Sequence, residues 1–345
     1  MTKSKDQKRL FGSDNFSGVH PQVMRAIEKA NVGHVRAYGN DAYTQEAKAL
    51  LLEQFGASSV LFLFTGTGAN VVGLQAILQS HQSVICPQIA HILTHECGAV
   101  ENFIGCQLCP VTCQQGKLLP SHIEPYLEAI GDVRHTQPKV ISISQATEMG
   151  TVYSVKEIKA LSQKAHKHGM FLHMDGARLA NAAVAESVSF EAMTAECGVD
   201  VLSFSGTKNG MMVGEALLFF GKLAEKSAPF IQKQAMQMGS KMRFLSAQFT
   251  ALFENDLWKK NALQSNQMAK LFERELKKIK EVEIVEPVET NALFVKMPKK
   301  AMLQLQKESY FGIWNKQESI ARFMTTWDTE ESDVHGFIQL LKKSL

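Results

Sequence analysis

The chain is poor in the features that exported, membrane-spanning or nucleic-acid-binding proteins need. Its 345 residues contain six cysteines, too few for a disulfide scaffold, and the polar start Met1–Arg9 does not resemble a secretory signal. The longest apolar runs, Val60–Phe64 and Ala216–Phe220, are far shorter than the about 20 residues that cross a bilayer. The 37 basic and 34 acidic residues form no stripe that would neutralise phosphate backbones. We therefore expect a cytoplasmic protein with free thiols and with neither a membrane nor a nucleic acid as partner.

What is present is the composition of an ordinary folded protein. Hydrophobic residues make up 45% and charged residues 21%, and the length exceeds the roughly 250 to 300 residues at which one core stops growing. Short apolar runs alternate with helical patterns such as Val155–His168, which predicts an α/β domain whose mainly parallel sheet is flanked by helices. The predicted strands are Val60–Phe64, Ser83–Cys86, Gln107–Val111, Val140–Ile143, Phe171–Met174, Val201–Phe204 and Ala216–Phe220.

The pattern changes in the last third of the chain. Long helical patterns precede two short β-rich runs, Val282–Val285 and Ala292–Val295, and a final helix around Val334–Leu341. This order is typical of a small α+β domain. We expect an N-terminal segment at 1–20, a large domain at 21–248 and a small C-terminal domain at 249–345.

A glycine turn follows the first predicted strand. The sequence TGTGAN at 65–70 lies between that strand and a helical pattern at Val71–Gln79, where free backbone N–H groups and the helix dipole favour an anion such as one phosphate. A dinucleotide fingerprint would need a third glycine where Val71 stands, so a nicotinamide dehydrogenase is disfavoured. Taken alone, such a turn is as often a tight packing feature as a binding site.

Two charged residues follow the strand Phe171–Met174. Asp175 and Arg178 stand at its carboxyl end, the edge at which open α/β sheets bind ligands. Buried charges at that edge require an explanation, and two stay open: a bound ligand, or an ion pair that ties the strand to the next helix.

A lysine follows the strand Val201–Phe204. Lys208 is surrounded in sequence by small hydroxyl residues and glycines. A lysine held in a tight, partly dry pocket has its pKa lowered from about 10.4, which frees the amine to form an imine. An isolated lysine at a strand end more often extends its amine to solvent.

Three cysteines, at Cys106, Cys109 and Cys113, lie close together in sequence. Thiolates bind metals, but no fourth ligand follows at zinc-finger spacing. Thiols in a β-rich stretch are usually packing residues. We expect no metal site.

The three motifs together fit one cofactor, pyridoxal phosphate. It needs an anion-binding turn for its phosphate, a lysine that forms an imine with it, and a carboxylate that keeps its ring nitrogen protonated. The glycine turn, Lys208 and Asp175 supply these groups.

With these motifs the chain resembles a known family, the L-threonine aldolases, and in particular their low-specificity and phenylserine aldolase branch. These are pyridoxal phosphate enzymes of the aspartate aminotransferase fold. The resemblance runs from about Phe11 to Asp333. It rests on FGSDN at 11–15, AYGND at 37–41, TGTGAN at 65–70, AHILTHECGA at 90–99, QATEMGTVY at 145–153, HMDGAR at 173–178, SGTKNG at 205–210, SKMRFL at 240–245 and ARFM at 321–324.

The resemblance implies roles for individual residues. Lys208 forms the imine, Asp175 partners the ring nitrogen, and His91 stacks on the ring. The implied cofactor-binding residues are Gly66, Thr67, Gly68, His91, Asp175, Arg178, Ser205, Thr207, Lys208 and Arg243, the last of which reaches the phosphate from a neighbouring subunit. The implied substrate-binding residues are Ser13, Tyr38, Arg178 and Arg322, of which the two arginines clamp the carboxylate.

The implied reaction is aldol cleavage of L-threonine, L-allo-threonine and related L-β-hydroxy-α-amino acids, with phenylserine as a further candidate, to glycine and an aldehyde. The base that removes the β-hydroxyl proton is His91, His135 or a water beside Glu96, and the sequence leaves these three open. Another pyridoxal phosphate reaction, β-elimination or transamination, is the alternative.

Two further implications concern assembly and specificity. The family resemblance implies a homo-oligomer, either a dimer or a tetramer, with active sites shared between subunits. Gly68, Gln145 and Glu148 depart from commoner versions of the family motifs, so the preferred aldehyde side group stays open.

Overall fold

A computed structural model of the protein describes residues 9–221 and 226–345. Residues 1–8 of the predicted N-terminal segment lie outside the described residues, as do residues 222–225. The strands are β1 (Ser59–Leu63), β2 (Gln82–Pro87), β3 (Gln107–Val111), β4 (Gln137–Ser144), β5 (Phe171–Gly176), β6 (Val201–Ser205), β7 (Glu215–Phe219), β8 (Glu283–Ile284), β9 (Ala292–Lys296), β10 (Gly312–Asn315) and β11 (Ile320–Met324). The α-helices are α1 (Pro21–Ala30), α2 (Ala42–Phe55), α3 (Gly66–Gln75), α4 (His91–Thr94), α5 (Ala99–Ile104), α6 (Glu124–Leu127), α7 (Val155–Lys167), α8 (Leu179–Glu186), α9 (Phe190–Met193), α10 (Ala228–Gln234), α11 (Arg243–Phe253), α12 (Leu257–Leu276), α13 (Lys299–Glu308) and α14 (Glu331–Ser344).

Strands β1 to β7 form one sheet in the order β1-β7-β6-β5-β4-β2-β3. Strand β7 is antiparallel to its neighbours β1 and β6, and the other pairs are parallel. Alternate residues enter two different apolar clusters: Leu202 and Leu218 enter one, and Val201 and Leu217 the other. Because neighbouring residues of a strand point to opposite faces, both faces of the sheet are covered. The predicted α/β architecture is confirmed.

Local sequence signals fix the ends of the helices around this sheet. Helix α2 begins after Asp41, whose carboxylate accepts a hydrogen bond from the Thr44 N–H at 2.8 Å, and it ends at Gly56 in the left-handed region with φ 63°. Helix α7 begins with a reciprocal cap between Ser154 and Glu157. Such caps satisfy N–H groups that have no partner inside the helix.

A smaller sheet follows, in the order β10-β11-β9-β8, and its pairs are antiparallel. It packs with α12 and α14 around a separate apolar cluster that includes Phe272, Phe323 and Phe337. The N-terminal segment joins this part of the molecule, since Phe11 belongs to the same cluster and bridges to Phe311. The predicted small α+β unit is therefore present as a second sheet.

The change from one core to the other falls within α12. Residues up to Ala262 belong to the cluster of the large sheet, and residues from Met268 belong to that of the small sheet. The boundary at residue 248 stays a prediction. Across residues 9–221 and 226–345, no helix combines the length and the apolar character needed to cross a membrane.

Candidate active site

A cavity of about 340 Å³ lies at the carboxyl ends of the parallel strands β4, β5 and β6. It is lined by Ser144, Asp175 and Ser205, which lie at or next to the ends of these strands. A larger cavity of about 810 Å³ lies between α8 and α12, and none of its lining residues is a predicted site residue. The predicted residues that line the smaller cavity are Gly66, Thr67, His91, Glu96, Asp175, Arg178, Ser205, Thr207 and Lys208.

The glycine turn forms the amino end of α3, which begins at Gly66 and not at Val71. Thr65 caps the helix by accepting a hydrogen bond from the Gly68 N–H at 3.0 Å. A Cβ on Gly66 would meet open space, so the amino end of the helix faces unfilled volume, an arrangement that favours an anion. Gly68 has a packing role instead, because a Cβ there would lie 2.4 Å from the Gln237 side chain.

Lys208 lies on a short turn between the antiparallel strands β6 and β7. The two ends of this turn are joined by a hydrogen bond from the Gly206 N–H to the Gly214 carbonyl oxygen at 3.0 Å. Asn209 anchors the turn to α12, since its side chain donates to the Trp258 carbonyl at 3.0 Å. Burial lowers the pKa of Lys208, and the Arg178 guanidinium adds to this decrease. The turn that carries Lys208 is therefore held firmly, and the lysine amine deprotonates more readily than an exposed one.

Asp175 begins a chain of hydrogen bonds that ends at His91. The Asn70 side-chain amide donates to Asp175 Oδ2 at 3.0 Å and to Glu96 Oε1 at 2.8 Å, and Glu96 Oε1 lies 2.8 Å from His91 Nδ1. Burial opposes ionisation of Asp175, but Lys208 and His91 outweigh it and lower the pKa of this carboxyl. The site thus holds a carboxylate with a fixed orientation, and Glu96 fixes the orientation of the His91 ring.

Ser205 and Thr207 are held by a carboxyl group that the sequence analysis did not single out. Both hydroxyls donate to Glu215 Oε1, at 3.2 and 2.8 Å. Glu215 is buried at the start of β7, opposite Ser205 in the antiparallel pair. Burial raises the pKa of Glu215 to about 7, against the opposing effect of the two hydroxyl hydrogen bonds and of Lys208.

This raised pKa predicts a pH-dependent stability that Glu215→Gln should remove. Folding favours the protonated form of Glu215, so this carboxyl group stabilises the folded chain. Its contribution to the free energy of unfolding is complete below the ordinary pKa of 4.5 and is lost as the pH rises through about 7. The wild type should lose on the order of 3 kcal/mol relative to the variant between about pH 4.5 and 8. Urea unfolding of the cofactor-free proteins across this range measures the difference. Glu283→Gln, at an exposed position, is the control, and parallel wild-type and Glu215→Gln curves would contradict the prediction.

The two arginines that were predicted to bind the substrate carboxylate, Arg178 and Arg322, have different hydrogen-bond partners in the structure. Arg178 is bound by Asp14, with Nε to Oδ2 at 2.6 Å and Nη2 to Oδ1 at 3.0 Å. Despite burial, Arg178 and Lys208 lower the pKa of Asp14 to about 2. Arg322 has a different environment: its Nη2 donates only weakly to the Gly12 carbonyl at 3.4 Å, and burial together with Arg178 lowers its pKa. Ser13 lies beside them and caps the N-terminal 3-10 turn through the Asn15 N–H.

Six predicted residues are not among those that line this cavity. Gly68, Ser13 and Arg322 are described above, and the other three are His135, Tyr38 and Arg243. His135 lines a different cavity with Asp132, because it precedes β4 at the amino end of the strand, roughly 25 Å from the carboxyl edge. Tyr38 is 52% exposed, and its N–H donates to the Ser240 carbonyl oxygen. Arg243 lies close by and donates to the carbonyl oxygen of Gly33 at 3.1 Å.

Sequence reasoning missed four residues that help to build the site. Asp14 and Asn70 lie inside the quoted motifs FGSDN and TGTGAN, where they were not assigned roles. Glu215 opens an otherwise apolar strand, and a lone carboxyl at that position was an available signal. Glu148 had been noted only as a departure from the commoner motif, although it lines the cavity.

Comparison with known proteins decides the family. The model of the beta-eliminating lyase family matches residues 11–300. A low specificity L-threonine aldolase of Pseudomonas sp. (strain NCIMB 10558) is 42% identical over 331 residues, which are 95% of this chain and 96% of that protein. The low specificity L-threonine aldolase of Pseudomonas aeruginosa is 40% identical over 327 residues, 94% of either chain. The chain belongs to the L-threonine aldolase group of the beta-eliminating lyase family.

Solved structures agree with this membership of the threonine aldolase group. A threonine aldolase of Leishmania major superposes with a TM-score of 0.90 at 29% identity and covers 96% of this chain and 98% of its own. An aspartate aminotransferase of Thermus thermophilus superposes with a TM-score of 0.73 at 15% identity, covering 97% and 96%. At that identity the second likeness shows the fold alone, and the aspartate aminotransferase fold predicted from the sequence is confirmed.

The cavity of this threonine aldolase family member fits pyridoxal phosphate, the cofactor of the threonine aldolase and aminotransferase-fold families. The open amino end of α3 suits a phosphate, while Lys208 and Asp175 suit an aldehyde and a ring nitrogen. Several shielded polar atoms in the wall also have no hydrogen-bond partner within residues 9–221 and 226–345. They are Asn70 Oδ1, Glu96 Oε2 and Glu148 Oε2.

Proposed function

We propose that this protein is a pyridoxal phosphate-dependent L-threonine aldolase, a carbon–carbon lyase. It cleaves L-threonine, L-allo-threonine and related L-β-hydroxy-α-amino acids to glycine and an aldehyde. The observation that carries the proposal is the position of Lys208, whose pKa is lowered, in one cavity with Asp175 and the amino end of α3. The names of the Pseudomonas relatives support the same reaction.

Each group of the site has a task in this reaction. Gly66 and Thr67 would hold the phosphate, the Ser205 and Thr207 hydroxyls would turn from Glu215 to donate to it, and Lys208 would bind the cofactor aldehyde. Bound pyridoxal phosphate supplies an acceptor for the electron pair released at the substrate Cα. Asp175, kept ionised by its neighbours, would hold a proton on the ring nitrogen.

The test of the function is product analysis. Purified protein supplied with pyridoxal phosphate should convert L-threonine and L-allo-threonine to equimolar glycine and acetaldehyde. The family name suggests β-elimination as the second candidate, which would instead give a 2-oxo acid and ammonia. Transamination would consume an added 2-oxo acid and release no acetaldehyde. The product ratio therefore separates the three reactions.

Arg322 is proposed to bind the substrate carboxylate. Within residues 9–221 and 226–345, the one hydrogen-bond partner of its guanidinium is the Gly12 carbonyl oxygen, whereas Arg178 is already bound by Asp14 at 2.6 Å. Loss of a charge-assisted contact costs about 1.5 to 3 kcal/mol. Arg322→Ala should therefore lower kcat/KM for L-threonine by about ten- to a hundredfold.

Steady-state kinetics on folded protein measures this effect, with the circular dichroism spectrum as the check of folding. Arg274→Ala, on the exposed side of α12, is the matched control and should retain the wild-type kcat/KM. A wild-type value in Arg322→Ala would remove this residue from the substrate site.

The proposal includes a cytoplasmic homo-oligomer, a dimer or tetramer, whose sites are completed across subunits. Tyr38 and Arg243 are absent from the lining of the 340 Å³ cavity of their own chain, and a separate cavity of about 410 Å³ is lined by Arg243 and by Ala37, the neighbour of Tyr38. Exposed apolar side chains occur nearby in sequence, among them Val35 and Met236, which is 75% exposed. Such side chains are suited to a subunit interface.

Arg243→Ala should weaken pyridoxal phosphate retention and the oligomer together, because a ligand that binds only the assembled form stabilises it by mass action. We expect about a tenfold higher dissociation constant for the cofactor. Light scattering and activity over one dilution series measure both effects. A fully active wild-type monomer would contradict the shared site.

A further inference from the structure

Glu148 is a cavity-lining residue to which the proposed function has given no task. It follows β4, in the turn that separates this strand from α7. Its Oε1 accepts hydrogen bonds from the His91 backbone N–H at 2.9 Å and from the Ser144 hydroxyl at 2.6 Å. Its Oε2 is shielded from solvent and is without a hydrogen-bond partner in the described part of the chain. One oxygen thus anchors the carboxyl group, and the other, although buried, has a hydrogen-bonding capacity that no group in the described part of the chain uses.

The turn that carries Glu148 is tightly fixed. The Thr147 N–H donates to the Thr151 carbonyl oxygen at 2.9 Å, and the Gly150 N–H donates to the Thr147 carbonyl oxygen at 2.9 Å. Gly150 has φ 75°, and a Cβ there would lie 2.9 Å from that of Ala292. Both facts favour glycine at this position. The carboxyl group of Glu148 is therefore preorganised, as a proton acceptor needs to be.

The electrostatic environment favours a base that operates near neutral pH. Burial raises the pKa of Glu148, the Ser144 hydrogen bond opposes the increase, and the Asp175 carboxylate adds to it. An acid–base group is most effective when its pKa approaches the working pH. The charged and titratable groups that face Glu148 are His91, Asp175, Arg178, Cys86, Cys113 and Tyr153.

The other candidate bases in the cavity, His91 and Glu96, are each paired through one atom, and Glu96 Oε2, like Glu148 Oε2, has no hydrogen-bond partner within residues 9–221 and 226–345. His91 Nδ1 pairs with Glu96 Oε1 at 2.8 Å, and the same oxygen also accepts from Asn70. Glu96 is only 5% exposed, whereas Glu148 keeps part of its side chain open to the cavity. Glu148 is therefore the less buried of these two cavity-lining carboxyl groups.

We propose that Glu148 Oε2 accepts the proton of the substrate β-hydroxyl. This inference rests on the proposed aldolase function. As the O–H bond breaks, its electron pair forms the aldehyde C=O bond, and the Cα–Cβ bond breaks with its electron pair left on Cα. After the aldehyde departs, Glu148 releases its proton to solvent, and Cα takes a proton from solvent in a separate step that completes glycine, so the carboxylate is regenerated and no oxidant or reductant is consumed.

Glu148→Gln tests the inference, because the amide retains an oxygen that accepts from His91 and Ser144 but cannot take a proton. We expect kcat for L-threonine cleavage to decrease about a hundredfold, with the dissociation constant of pyridoxal phosphate changed less than threefold. Exchange of the glycine α-proton in D₂O involves no hydroxyl proton and should keep its wild-type rate. The decrease of kcat at acid pH should also disappear from the profile.

The outcomes separate this inference from the proposed function. If the wild type releases no glycine and aldehyde, the proposed function fails and the role of Glu148 falls with it. If the wild type is an aldolase, an unchanged kcat in Glu148→Gln overturns the inference alone. An equal loss of cleavage and glycine exchange also overturns it, because it shows a general disturbance of the site.

Two further variants complete the experiment. Glu128→Gln, at an exposed position on the same large domain, is the control and should match the wild type in both assays. If Glu148→Gln does not fold, Glu148→Asp replaces it, since it keeps a titratable carboxyl with a shorter reach. In Glu148→Asp the decrease of kcat at acid pH should persist, with its midpoint at a different pH from that of the wild type. An unshifted midpoint overturns the inference.

Discussion

Replacing Lys208 by alanine should abolish threonine cleavage, with kcat lower by on the order of 10⁴-fold or more. The variant should also lose the visible absorbance of the bound cofactor and its attachment to the chain after borohydride reduction. The expected effect is this large because the reaction requires a covalent link between protein and cofactor at one amine. Lys208 is the lysine that lines the 340 Å³ cavity.

A second variant separates the amine from its charge. Lys208→Arg keeps a cation near Asp14, Asp175 and Glu215, which interact electrostatically with Lys208, but its guanidinium is not a comparable nucleophile. It should therefore be as inactive as Lys208→Ala while disturbing the neighbouring carboxyl groups less. Lys259→Ala, on an exposed part of α12, should keep full activity. Recovery of the reduced cofactor on any other lysine would refute the assignment.

Asp175→Asn should lower kcat by about 10²- to 10³-fold while cofactor remains bound. Asp175 is buried and accepts hydrogen bonds from Asn70 and from the Ala177 N–H at 3.0 Å each. These bonds fix a negative charge at the end of β5. An amide in its place cannot hold the ring nitrogen protonated, so the electron pair released at Cα is poorly accepted.

The measurement for Asp175→Asn is kcat at saturating pyridoxal phosphate, together with the cofactor dissociation constant. The matched control is Asp200→Asn, since Asp200 precedes β6 at the opposite edge of the sheet and accepts from the Leu172 N–H at 2.7 Å. This control should retain wild-type kcat. If Asp175→Asn keeps more than a tenth of the wild-type kcat, the electrostatic role of this carboxylate is wrong.

The parts of the site that lie at strand ends could be predicted from the sequence. Asp175 and Lys208 each follow a short apolar run, and the carboxyl ends of parallel strands meet at one edge. The pairing of Arg178 with Asp14 could not be predicted, because 164 residues separate the partners and neither has a local pattern that depends on the other. Family resemblance placed Arg178 and Ser13 at the site but assigned no role to Asp14.

The same limits explain the errors in secondary structure. The start of α3 at Gly66 was missed because glycine and threonine are poor helix formers, and the capping by Thr65 compensates for them. Strand β10 was missed because its residues are partly exposed and form no long apolar run. The antiparallel direction of β7 was not predicted either, since a buried apolar run has no direction.

The direction of β7 has a consequence for how this enzyme can vary. Parallel neighbouring strands are joined by crossover connections of a dozen or more residues. Much of such a connection lies away from the active site, so residues can be inserted or deleted there without displacing the catalytic groups. Residues 206–214, by contrast, form a direct return between hydrogen-bonded strands, and Ser205 pairs with Glu215 across it. An inserted residue there would displace the reactive amine or shift that pairing. The length of this return is therefore a fixed dimension of the catalyst, so loop exchange between relatives has to leave it intact.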